Sequence, residues 1–451
     1  SEYERDANAL MRVQEYVQSI LVSTDGAYKC NTLGEGQDAL YEQIADNFKQ
    51  LYIDLQVFYI FWAAHTQEAT EIDDEHLNIL VESQYMYWVR GNRYQIFELE
   101  PLKRLLPPHD AVLRELFGVS AADIIGGLEK LRYSLSQAFA DAGMELDREY
   151  RSFSVAVITG VPPEEALKNQ SQQARALLDK LFGSDLIDVM AVTGWDRRLI
   201  EALTYRLGEC KTFWGEEPFA GWPIVEQPII RKPFIEIDNT AYAFLYYALF
   251  DNIYRNLQKS IMRQKPEYSA TWKDKQTSAS EEMVAELFCD LLSGAMVHIG
   301  NYYPVHNSLK QMNENDIIVL YLNHLFIIEV KSGSFPTTPP LTDFQAHISA
   351  YQKLVEAADS QCSRTLSYIS RCVPAQFYNH DKNATFSLPD LSTFDAIFTF
   401  SVTVDSFNDF AARAEKMNVI SLKEKTIVIS YDDLLAYKGY FSSPISFLHY
   451  L

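Results

Sequence analysis

The stretch from Asn313 to Phe335, NENDIIVLYLNHLFIIEVKSGSF, constrains this chain more than any other. Two apolar runs flank an Asn323-His324 pair, and each is long enough for a strand. Charge stands where a sheet interior does not tolerate it unaided: Asp316 enters the first run, and Glu329 and Lys331 leave the second. If Asn323-His324 is a two-residue hairpin loop, Leu322 pairs with Leu325. Counting outward sets Asp316 opposite Lys331, and Glu329, two residues back along its strand, shares their face. A slip of one residue would break the cluster.

With 451 residues the chain predicts two or three domains. Hydrophobic residues at 47% and aromatics at 13% call for folded cores rather than disorder. The formal net charge of −22 does not advertise a nucleic-acid binder, so any anionic partner must meet a local basic patch. Five cysteines without a Cys-x-x-Cys suggest neither a disulfide framework nor a structural zinc site. A reducing compartment is therefore expected. The polar start, SEYERDANAL, does not read as a signal peptide, and the missing initiator Met fits a trimmed chain or a fragment. The longest apolar runs, such as Val57–Ala64 and Ala241–Phe250, are too short to span a membrane, so a cytoplasmic protein is expected.

Residues 1–225 read as a mostly helical recognition or scaffold domain, a surface for a protein partner or a second copy. Apolar residues recur at helical spacing in Ala9–Val22, Ala39–His65, Asp110–Phe117, Ala121–Phe139, Pro163–Phe182 and Arg197–Leu207. Tyr85–Leu99 reads instead as a hairpin around Gly91-Asn92. The proline-rich segment Trp214–Lys232 marks the junction. Residues 226–451 then read as a mixed α/β domain with its core at 277–435. A short strand, Phe234–Ile237, and a turn at Asp238-Asn239-Thr240 precede a helix from Tyr242 to Met262. Arg255, Lys259 and Arg263 lie four residues apart on that helix and share one face, a candidate nucleic-acid contact set against the simpler reading of a solvated stripe. A helix Thr277–Leu292, capped by Ser278 or Ser280, leads into strands Ala295–Tyr303, Ile317–Leu322 and Leu325–Lys331. Helix Asp343–Ala358, strand Ala396–Val404, helix Ser406–Lys416, strands Val419–Leu422 and Thr426–Ser430 and a final helical turn at Asp432–Leu435 follow. This order gives helices packed on one central sheet.

Two carboxylates beside an ammonium need compensation, and a divalent cation supplies it. Asp316 and Glu329 are hard oxygen donors of the kind Mg²⁺ or Mn²⁺ prefers. Lys331 is then placed to hold or deprotonate a water on the metal that attacks a phosphodiester. Glu281, three residues before Val284 and seven before Phe288, falls on the buried stripe of its helix and offers a further carboxylate, with Glu282 the second choice. The competing reading for both is favourable placement near a helix N-terminus.

Asp316, then Glu329-Val330-Lys331 thirteen residues later, after a helix bearing Glu281, resembles the PD-(D/E)XK nuclease superfamily with its restriction-endonuclease-like fold. The resemblance covers 277–435 at most. Asn315-Asp316 stands where the family often has Pro-Asp. The resemblance implies that Asp316, Glu329, the Val330 carbonyl and Glu281 bind Mg²⁺ or Mn²⁺ and that Lys331 acts on the water. Some relatives carry a glutamine and a tyrosine on the helix after the lysine. Gln345 and Tyr351 are six apart here, so Gln345 carries over only weakly and reads better as a polar residue of a helix face.

The resemblance implies a Mg²⁺-dependent deoxyribonuclease, endo- or exonucleolytic, of the kind found in bacterial phage defence or mobile-element biology. Two alternatives stay open: a catalytically silent nuclease-fold subunit that binds nucleic acid or scaffolds a larger complex, and a ribonuclease. The histidines His298, His306, His324, His347 and His380 show no metal-ligand spacing. No Gly-x-Ser-x-Gly and no phosphate-binding glycine loop occur, so no ATPase motor is expected in the chain.

Overall fold

The computed structural model describes residues 2–24, 37–69, 96–215, 219–306, 308–336, 343–406 and 421–451. It is a mixed α/β protein, with helices in the N-terminal part and a large mixed sheet in the C-terminal part. The principal helices are α1 (Glu2–Ser23), α2 (Gln37–Ala69), α3 (Asp110–Phe117), α4 (Ala121–Tyr133), α5 (Phe139–Ile158) and α6 (Pro163–Phe182). They continue as α7 (Arg197–Ala202), α8 (Tyr246–Gln264), α9 (Ser269–Leu291), α10 (Phe344–Tyr351), α11 (Ala357–Arg371) and α12 (Tyr431–Tyr440). The described strands are β1 (Thr204–Arg206), β2 (Phe234–Ile237), β3 (Thr240–Tyr242), β4 (Met296–Pro304) and β5 (Met312–Tyr321). After them come β6 (His324–Lys331), β7 (Ala375–Tyr378), β8 (Ala384–Leu388), β9 (Ala396–Thr403) and β10 (Ile427–Ser430).

Two compact units interleave along the chain. The first comprises Ser1–Lys29, His109–Pro223 and Gln227–Ser269, and the second Cys30–Pro108, Ile224–Glu226 and Ala270–Leu451. In the first unit α3 ends at Gly118, whose φ of 71° is the left-handed stop a glycine supplies. Ser120 and Asp123 then close a capping box on α4. A single wide turn, Ser134–Ala138, joins α4 to α5, so the helix expected over Ala121–Phe139 runs on to Ile158. The helix expected over Arg197–Leu207 stops at Ala202 instead. Thr204-Tyr205-Arg206 pairs parallel with β2, where a β-branched and an aromatic side chain suit the pleat better than a helix end. The β2–β3 hairpin turns on Asp238 and Asn239, both at positive φ (51° and 65°). Because Thr240–Tyr242 is spent as β3, the following helix begins at Tyr246, not Tyr242.

In the second unit seven strands form one sheet in the order β10-β9-β6-β5-β4-β7-β8. β10, β9 and β6 run parallel, and every pairing from β6 to β8 is antiparallel. Helix α9 packs Phe288 against Phe326 and Phe400 (ring centroids 6.2 and 5.5 Å apart). Helix α11 covers the other face, burying Cys362, Tyr368 and Ile369 with Ile318, Leu325 and Ile327. The β7–β8 hairpin was not expected.

Two expectations near the opening stretch need correction. Helix α9 starts at Ser269 rather than Thr277, so neither Ser278 nor Ser280 is an N-cap. Polar groups on either side of Thr277 are held inside by hydrogen bonds: the Trp272 indole donates to Gln276 Oε1 (2.8 Å) and Ser280 Oγ to the Gln276 carbonyl (2.6 Å). The hairpin register also differs. Tyr321 pairs with His324 and Leu320 with Leu325, which makes Leu322-Asn323 the loop. Leu322 takes a left-handed φ of 51°, a conformation that turn chemistry read from sequence assigns to Asn or Gly. The slip is two residues, which sets Asp316 level with Glu329 rather than Lys331 and preserves strand parity. The hairpin read at Tyr85–Leu99, the helix at Ser406–Lys416 and the start of the strand at Val419 fall largely outside the described residues.

Candidate functional site

Asp316 occupies an interruption in the sheet. On one side the β4–β5 pairing passes from Ile299–Ile317 to Asn301–Asn315 without a Gly300–Asp316 pair, and Gly300 has a φ of 64°. On the other side the β5–β6 pairing ends at Ile317–Ile328. β6 meanwhile stays paired with β9 as far as Lys331–Thr403. Strand alternation changes phase at this step. Tyr303 packs in the same cluster as Ile318, although a two-residue period through His298, the partner of Ile318, would send it to the opposite face. The strands thus part where the charged residues stand.

The gap is filled by polar contacts. Asp316 Oδ2 accepts the Val330 amide at 2.7 Å, in place of a strand-to-strand bond. Glu329 is fully buried, and its Oε1 accepts from Asn315 Nδ2 at 2.9 Å. The Lys331 ammonium donates to Glu329 Oε2 at 3.2 Å and to Gln361 Oε1 on α11 at 2.7 Å. Glu281 approaches from α9, close enough to feel Asp316, Glu314 and Glu329. A clasp fixes α9 there: Gln276 Nε2 donates to the carbonyl of Ser332, the residue after Lys331, at 2.7 Å.

Three acids and one ammonium leave negative charge in excess. Burial pushes the Glu281 carboxyl up to about 8, reinforced by Asp316, Glu314 and Glu329 and opposed by Lys331. Burial likewise raises Asp316 and Glu329, and for Glu329 the neighbouring Asp316 carboxylate adds to the rise. Tyr302 pairs with Glu314 across β4 and β5, and burial, with that carboxylate beside it, raises its phenol. Without another cation, the cluster holds protons that isolated carboxylates would release.

The structure therefore brings Glu281, Asp316, Glu329 and Lys331 together. Glu282 is exposed and accepts from Ser278 Oγ (3.3 Å), and Gln345 is exposed on α10. Arg255 is half-buried on α8, bonded to Gln258 (3.1 Å), whereas Lys259 and Arg263 are exposed; all three belong to the first unit. Gln361, Tyr302 and Glu314 escaped sequence reasoning. Gln361 lies one turn before the buried Thr365 of α11, a helical count that would have aimed it at the sheet.

Comparison with family models, with curated proteins and with solved structures returns no match for this chain.

The donor set suits a hard divalent cation: carboxylates, with peptide carbonyls within the same turn of chain. Among the described residues, however, no three His, Cys, Asp or Glu side chains converge as a ready-made metal cage. Glu329 has both oxygens, and Asp316 one, engaged in hydrogen bonds. Also among the described residues, no helix is long and apolar enough to cross a membrane.

Proposed function

We propose that this chain is a metal-dependent nuclease of the PD-(D/E)XK, restriction-endonuclease-like type that hydrolyses DNA phosphodiester bonds. The observation that carries the reading is the buried Glu329 bonded to Lys331 where β5 parts from β6, with Asp316 on the adjacent strand and Glu281 acting on both carboxylates from α9. Asp316, Glu329 and Glu281, with the Val330 carbonyl, would hold Mg²⁺ or Mn²⁺. When bound, the cation supplies compensation for the charge that builds on a phosphodiester under attack by water. The Lys331 side chain, steered by Gln361 and Glu329, would lie beside that charge and stabilise it by donating hydrogen bonds. Bacterial phage defence or mobile-element biology belongs to the same reading.

The test is incubation of the protein with plasmid, linear duplex, single-stranded DNA and RNA in Mg²⁺ or Mn²⁺, beside the Lys331→Ala variant. DNA cleavage is expected, and the variant should lose about 10²-fold or more of it while keeping its melting curve. Undiminished cleavage by Lys331→Ala would sink the assignment, and cleavage of RNA alone would favour a ribonuclease.

One observation favours a second reading, a catalytically silent nuclease-fold subunit. Both oxygens of the fully buried Glu329 are already committed, which is how a purely structural carboxylate is kept. Titration with Mn²⁺ separates the two, because the silent subunit binds none at Asp316 and Glu329.

A further inference from the structure

We propose that Asn315 is a positioning residue of this site: its carboxamide holds the Glu329 carboxylate in the orientation a divalent cation needs. The inference rests on the reading above in one respect, that Glu329 is a cation ligand.

Asn315 and Glu329 are both fully buried. Asn315 Nδ2 donates to Glu329 Oε1 at 2.9 Å and to the Ile328 carbonyl at 3.3 Å. A carbonyl only accepts, so Ile328 decides which end of the carboxamide faces β6: the NH₂ end. The opposite end, Oδ1, is buried and meets no hydrogen-bond donor. An apolar side chain at this position would leave no acceptor stranded. What the asparagine adds is the pair of donations toward β6, one of which ends on the carboxylate.

The surroundings keep that donor in place. Asn301, itself buried, faces Asn315 from β4 and donates to the His298 carbonyl (2.9 Å) and to the Asn315 carbonyl (3.4 Å). The two asparagines brace the step at which the strand pairing skips Gly300 and Asp316. Glu329 Oε2 lies 3.2 Å from the Lys331 ammonium, so the carboxylate is gripped at both oxygens. It cannot turn without breaking one contact. Partners of this kind, outside the ligands themselves, orient a metal-binding carboxylate and commonly change metal affinity 10–100-fold.

The experiment is Mn²⁺ binding to the full chain, by calorimetry and by the electron paramagnetic resonance of the bound ion. It compares wild type, Asn315→Ala, Asn315→Leu, Glu329→Ala and the Asn315→Ala/Glu329→Ala double variant, with metal-free melting curves alongside. Asn315→Ala and Asn315→Leu should each weaken Mn²⁺ binding about 10–100-fold and change the spectrum of the bound ion. Once Glu329 is alanine, removing Asn315 should cost no further affinity, because its action passes through that carboxylate. Affinity within about twofold of wild type in the Asn315 variants overturns the proposal. An undiminished loss in the Glu329→Ala background does so too, as does failure of both Asn315 variants to fold, since the residue is then structural. Wild type that binds no Mn²⁺ overturns this proposal together with the metal reading. Wild type that binds Mn²⁺, beside Asn315 variants that bind it equally well, overturns the Asn315 role alone.

Discussion

Glu281 turns the charge excess of the site into a measurable pH dependence. Its folded-state pKa of about 8 lies above the ordinary glutamate value, because burial and the neighbouring carboxylates disfavour its charged form. Between about pH 5 and 8 the unfolded chain has released this proton while the folded chain still binds it. Stability therefore falls as pH rises through that window, and the penalty is complete above the folded pKa. The melting temperature of metal-free protein should drop from about pH 5 to 8. Glu281→Gln should flatten the slope and melt higher than wild type at the upper end, as read by scanning calorimetry. Parallel curves for the two proteins would show that Glu281 does not keep its proton. Of the groups that shape this site, four charged ones stand out in the sequence, since Asp316, Glu329 and Lys331 interrupt apolar runs and Glu281 lies on a helical stripe, whereas Glu314 does not. Asn315, Gln361 and Tyr302 do not stand out either. Neutral polar residues interrupt no pattern, and only the packing of β4, β5 and α11 reveals what they face.

At the scale of elements, the hairpin shows how a wrong register can leave the facing of the side chains intact. Asn323-His324 reads as the loop because the pair separates two apolar runs. The chain instead bends at Leu322, which stands 69% exposed at a φ of 51°. The shift of two residues kept the same side chains on each face, whereas a shift of one would have reversed them. Leu322→Gly should raise stability by roughly 0.5–1 kcal/mol, by relieving the left-handed strain of a branched side chain. Chemical denaturation measures this, and a lower midpoint would mean that the leucine makes contacts worth more than the strain. Helix α9 illustrates the opposite failure. Its first half carries Trp272, Gln276 and Ser280 inward, and side chains that bury by hydrogen-bonding one another or the helix backbone defeat a count of apolar residues. The β1 strand was missed for a third reason: its pairing partner, β2, lies far along the chain.

The whole molecule carries a net charge of −22, so a polyanion can approach it only through a local field of opposite sign. Lys259 and Arg263 are exposed on α8 and offer one. If they guide nucleic acid, Lys259→Glu with Arg263→Glu should weaken DNA binding at low salt and reduce the slope of log affinity against log salt by about 2. Fluorescence anisotropy across a salt series reads both, and an unchanged slope would place the entry of DNA elsewhere. The large sheet has a comparable dependence on a single place. β5 is laced to β4 on either side of one missing rung, and that rung holds Gly300 opposite Asp316. A β-branched residue there would resist the φ of 64° and favour regular pleating, pulling Asp316 back into the ladder. Two chains could then share every acid and the lysine, yet only the one with glycine would assemble them. What a motif comparison reads as the same site would, in one of the pair, be a disarmed copy written in backbone rather than in side chains.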